Sequence, residues 1–187
     1  MIYANKLEKY LRLFADSLGS TGQIDMLLVG GAAIALKYGG RDTTKDVDAV
    51  FSDIFTKQFL ARGYYKELVA QFASEYNLEK NWLSDSVMQF VTPEIFETKE
   101  LLFATENVTI STPSAKALLA MKAMSMRIGP EFKDVSDIEL LLDITGIATV
   151  DEGLDLINHF YPKEKGRWSR ETAIGFPDII VQRQRSV

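Results

Sequence analysis

Apolar side chains recur along this chain at spacings that change from one segment to the next, and those changes mark its elements. From Leu7 to Leu18 the residues Leu11, Leu13, Phe14 and Leu18 fall on one helical stripe, which Gly19-Ser20-Thr21-Gly22 ends. The short run from Asp25 to Val29 has no alternation, as expected of a buried strand. Ala32 to Tyr38 reads as a short helix and Lys45 to Phe51 as a second strand. Between Phe55 and Tyr76, Phe59, Leu60, Tyr64, Leu68, Phe72 and Tyr76 keep helical spacing, with Arg62-Gly63 as a candidate break.

The second half continues with two strands, Glu100 to Ala104 and Asn107 to Ser111. A helix opens at Thr112 or Ser114, with Pro113 as punctuation, and carries the apolar run to Gly129. Another runs from Lys133 to a stop at Gly146, and a third occupies Val150 to Tyr161. A loop follows from Pro162 to Trp168, and Pro177 limits any helix in the tail. Strands interleaved with helices predict an α/β (α+β) fold class.

Composition narrows the chemistry. The chain has 187 residues, 47% of them hydrophobic, enough for one ordinary core with a helical appendage. Its net charge of -5 argues against a large nucleic-acid footprint, so an RNA partner would need a local basic patch. With no cysteine, disulfides and thiolate metal sites are excluded. Charges interrupt every apolar run near the N-terminus, which fits neither a signal peptide nor a membrane span, and the expectation is a soluble, cytoplasmic protein.

The stretch from Leu27 to Phe51 carries the sharpest signal. Gly30 and Gly31 follow an apolar strand and open a helix, a place where bare backbone admits an anion to the free N–H groups; tight strand-to-helix packing is the competing explanation. Asp46 and Asp48 stand one residue apart in an otherwise apolar strand, so both project from the same face. Two like charges there call for a cation, and a hard divalent ion such as Mg²⁺ takes carboxylate oxygens while keeping positions for water and phosphate. The plainer alternative makes Asp46 a solvated turn residue beside Lys45, with Asp48 alone facing inward.

Val29-Gly30-Gly31-Ala32-Ala33-Ile34-Ala35-Leu36, then Arg41, then Thr44-Lys45-Asp46-Val47-Asp48, resembles the signature of the DNA polymerase β-like nucleotidyltransferase superfamily. The similarity is greatest to small bacterial proteins of the AbiEii toxin type. There a later helix carries a lysine, matched by Lys122, and the next begins with a basic-Asp-x-x-Asp pattern, matched by Asp134 and Asp137. The resemblance spans Ile24 to Asp143 and implies a short mixed nucleotidyltransferase-type sheet in residues 1–111, with a helical part in 112–187 completing the cleft. It implies catalytic Asp46, Asp48, Lys122 and Asp137, with Mg²⁺ on Asp46 and Asp48 and the nucleotide near Gly30, Gly31, Arg41 and Thr44. The implied reaction is transfer of a nucleoside monophosphate from a nucleoside triphosphate to a hydroxyl of tRNA or protein, in a toxin-like role with a possible partner protein of a toxin and antitoxin pair.

Some residues keep two readings. Lys122 shares a helical stripe with Ala115, Leu118, Leu119 and Met126, where a lysine either snorkels to water or meets an acid or phosphate. Asp134 and Asp137 sit at a helix start; capping explains at least one, and Asp137 is the better placed to face a cleft. Trp82 in Asn81-Trp82-Leu83-Ser84-Asp85 reads as packing and His159 as an ordinary helix residue. Many active members of the superfamily carry a third carboxylate on a later strand; the runs Leu101 to Ala104 and Val108 to Ser111 hold none, and Glu100, just before the first run, is the nearest substitute. The competing function is therefore a degenerate member that binds a nucleotide or a partner without catalysis.

Overall fold

The computed structural model describes residues 1–18, 24–51, 64–127, 129, 133–164 and 168–186. The element order is β1 (Ile2–Tyr3), α1 (Ala4–Ser17), β2 (Ile24–Val29), α2 (Gly30–Tyr38), β3 (Thr43–Thr44), β4 (Val47–Phe51), α3 (Tyr64–Tyr76), β5 (Leu83–Ser84), a 3-10 turn (Ser86–Phe90), α4 (Pro93–Glu97), β6 (Glu100–Ala104), β7 (Val108–Thr112), α5 (Ala115–Ser125), α6 (Asp134–Thr145), α7 (Val150–Phe160), a π-helical turn (Glu171–Gly175) and α8 (Phe176–Ser186). The fold is α+β. Two compact units divide the chain: Met1–Val91 with Lys99–Thr112, and Thr92–Thr98 with Pro113–Val187. Residues 92–98, which carry α4, thus group with the helical unit.

The first unit is built on a five-stranded mixed sheet in the order β5-β4-β2-β7-β6. Its central strand is the one whose sequence lacks alternation. β2 pairs antiparallel with β4 and parallel with β7, and Met26 to Val29 are all buried. The α1 stripe is Leu7, Leu11, Phe14, Ala15 and Leu18, while Leu13 is half-buried. Phe14 meets Trp82 edge-on with centroids 5.4 Å apart, and Phe72 of α3 stacks on Trp82 at 5.1 Å. Rings of this size dominate a core, each worth roughly 1.5–3 kcal/mol when fully buried. Gly19–Gly22 and residues 55–63 of the expected long helix lie outside the described residues.

In the second unit, caps written in the sequence set the helix ends. Ser114 Oγ accepts the Ala117 N–H at 3.3 Å to open α5, and Gly146 stops α6 with φ +70°. Thr149 and Glu152 form a reciprocal capping box on α7. The tail departs from expectation, because helix continues across Pro177. The π-helical turn at Glu171–Gly175 widens the backbone just before the proline, which then falls in the first turn of α8 where a missing N–H breaks no α-helical bond. Among the described residues no helix is long and apolar enough to cross a membrane.

Candidate functional site

The register of β2 with β4 sets Val29 opposite Asp48, so the Asp48 carboxylate stands where β2 gives way to α2. Gly30 occupies that junction with φ +64°, and a Cβ there would lie 3.0 Å from Asp48 Oδ2. Backbone angle and space both select glycine. At Gly31 a Cβ would lie 2.4 Å from Arg41 Nη1 and 2.8 Å from its Cζ. Missing side chains thus let a carboxylate and a guanidinium approach the same turn. Val29 makes no side-chain cap bond and the first turn of α2 holds no acid of its own, so the carboxylate nearest its leading residue is that of Asp48, from the neighbouring strand.

Asp46 immediately precedes β4 and is exposed, whereas Asp48 is half-buried within the strand. Thr44 is buried and its hydroxyl donates to the Asp46 carbonyl at 2.8 Å, fixing the backbone before the strand. Among the described residues no group of three or more His, Cys, Asp or Glu stands together to hold a metal. The donor chemistry still suits a hard divalent cation: the Asp48 carboxylate lies beside a turn that no Cβ fills, and the exposed Asp46 two residues before it is a second oxygen donor in the chain. Glu100 does not join them. By register, Asp48, Val29, Ser111 and Leu101 share one sheet face, and Glu100 with Thr112 takes the other, where Glu100 pairs with Lys37 of α2.

The remaining expected residues form a cluster inside the second unit. Lys122 on α5 is 8% exposed, and its Nζ lies 2.8 Å from Asp134 Oδ1 and 2.8 Å from Asp137 Oδ2. Of the two readings open for this lysine, meeting an acid is the one observed. Arg127, which sequence reasoning missed, adds its backbone N–H and its Nε to Asp134 Oδ2, both at 3.1 Å. Burial alone would raise the pKa of Asp134, and it is the largest single influence. The hydrogen bond and charge of Lys122, together with the bonds from Arg127, more than offset it and hold the carboxyl below its ordinary range. Lys133 is the N-cap of α6 and makes no side-chain cap bond, so the expected capping role gives way to pairing with Lys122.

Trp82 is fully buried, as packing requires, and His159 is an exposed helix residue edge-on to Phe160. A cavity of about 240 Å³ lies in the second unit beside Gly146 and Ile180, and none of the expected site residues lines it. No family model matches the chain, and no curated protein matches it.

Proposed function

We propose that the chain is a Mg²⁺-dependent nucleotidyltransferase of the polymerase β-like type, moving a nucleoside monophosphate from a nucleoside triphosphate to a hydroxyl of RNA or protein. The observation that carries this reading is the Asp48 carboxylate held against a bare Gly30 at the head of α2. The acceptor oxygen bonds to the α-phosphorus as the bridging bond to the β-phosphate breaks, and pyrophosphate leaves while the acceptor proton passes to solvent or a carboxylate. The leading amides of α2 and the Arg41 guanidinium hold phosphate oxygens in line for that displacement. Asp46 and Asp48 hold the cation, which when bound would offset charge building on the phosphates. Lys122 and Asp137 are assigned to positioning the nucleotide or acceptor. A tRNA end or a protein hydroxyl in the cytoplasm suits a toxin-like role.

A second reading, a nucleotide- or partner-binding module without catalysis, is favoured by two observations. The Lys122 ammonium is neutralised by two carboxylates, and Glu100 takes the sheet face opposite Asp48. Incubation with each α-labelled nucleoside triphosphate, Mg²⁺ and total tRNA or cell extract separates the two. Label should move with the wild type and not with Asp46→Ala combined with Asp48→Ala. Nucleotide retention without any transfer supports the binding module, and binding of neither Mg²⁺ nor nucleotide sinks the enzyme and the nucleotide-binding module alike, leaving the partner-binding form.

A further inference from the structure

Ser84 lies one ladder step from Asp48. β5 pairs parallel with β4, setting Val47 opposite Leu83 and Asp48 opposite Ser84. Registered partners project to the same face of a sheet, so the Ser84 hydroxyl and the Asp48 carboxylate share a face while Leu83, 3% exposed, turns to the other. A strand this short has no periodicity of its own to fix that register. Trp82 fixes it instead: its Nε1 donates to the Val69 carbonyl at 3.3 Å, and its carbonyl receives the Val47 N–H at 2.7 Å. Its ring is clamped between Phe14 and Phe72. A slip of one residue would drag the indole out of the core and turn Ser84 to the wrong face.

The hydroxyl is also constrained from its own turn. Ser84 Oγ accepts the Ser86 N–H at 3.2 Å and lies 2.8 Å from Ser86 Oγ. A serine hydroxyl offers one proton and two lone pairs. The Ser86 amide takes one lone pair, and either hydroxyl can donate in the Ser84–Ser86 pair; when Ser86 donates, the Ser84 proton is left for an acceptor on the shared sheet face. We propose that Ser84 is a positioning residue for Asp48, its hydroxyl donating across the ladder to orient the carboxylate toward the Gly30 turn. This rests on the metal-binding reading of Asp48. Ligating carboxylates are themselves hydrogen-bonded, and loss of such a partner typically weakens metal binding by roughly 10–100-fold.

The test uses Mn²⁺ in place of Mg²⁺, titrated into the full chain with free Mn²⁺ read by electron paramagnetic resonance. Ser84→Thr keeps the hydroxyl, and Ser84→Val has the same shape without it; both suit a strand. Wild type and Ser84→Thr should bind alike, Ser84→Val roughly 10-fold more weakly, and Asp48→Asn least of all. Should Ser84→Val fail to fold by circular dichroism, Ser84→Ala replaces it. Equal affinity for the Thr and Val (or Ala) variants overturns the role of Ser84 while the loss in Asp48→Asn keeps the metal reading. Wild type that takes up no Mn²⁺, with or without nucleotide, overturns both.

Discussion

Lys122 shows how one buried charge is held in place. The ammonium of a lysine that is only 8% exposed would ordinarily cost several kcal/mol in lost hydration, and two carboxylates at 2.8 Å offset that cost. The carboxylates depend on the lysine in turn, because Asp134 and Asp137 are also almost fully buried. Lys122→Met takes the 2.8 Å cation from both, leaving Asp134 with Arg127 alone, and should cost about 3–5 kcal/mol, read as a lowered urea midpoint. Combining it with Asp134→Asn and Asp137→Asn should recover much of that loss, since the change then removes the charges on both sides. If the lysine variant alone unfolds no more readily than wild type, the cluster is not what holds α5 and α6 together. This matters for function too: inactivity of Lys122→Met has no catalytic meaning until folding is measured, and Lys122→Arg, which keeps the charge, is the better probe.

At the scale of elements, sequence and structure agree where the signal is local. The unbroken apolar run of β2, the serine that opens α5 and the glycine that stops α6 each depend on one residue and its immediate neighbours. The glycine turn and the strand bearing Asp48 belong to the same class, whereas Asp46 falls just outside β4 and is exposed, as the plainer reading of that pair has it. Long-range pairing was not legible. Nothing in the pattern of Leu83–Ser84 gives a two-residue strand its partner; that register comes from Trp82 seated in a core contributed by α1 and α3. The one hint was a tryptophan two residues before a serine and an acid. Likewise Arg127 reaches Asp134 only after α5 and α6 pack, although its basic charge just beyond α5 was available to notice. Gly153 of α7 is a tertiary constraint of the same kind, since a Cβ there would meet Phe176 Cε1 and Ile180 Cδ1 at 2.8 Å. Alanine in a helix interior gains about 1 kcal/mol over glycine, but crowding a fixed, buried ring costs about 1–3 kcal/mol. Crowding should win, so Gly153→Ala is expected to lower stability in urea; a gain would mean that α8 yields to the extra methyl.

For the whole molecule, charge and folding meet in acid. The chain carries 26 acidic against 21 basic side chains, so the first protons taken up below neutrality reduce a modest excess of negative charge and should change stability little. Asp134 acts in the opposite direction. Its pKa is lower in the folded chain than in the unfolded one, so over the interval between the two values the unfolded state takes the proton first. The stability that Asp134 contributes is complete above the ordinary aspartate value, about 3.9, and is lost as pH falls from there through the folded value. Urea midpoints should therefore hold nearly level down to about pH 5 and then drop steeply below about pH 4. Asp134→Asn, less stable at neutral pH because Lys122 and Arg127 lose a charged partner, should decline less steeply over that acid range. Parallel curves for the two proteins would show that the acid loss comes from other carboxylates, and the Lys122 cluster would then be a contact that stabilises without setting the acid limit of the fold.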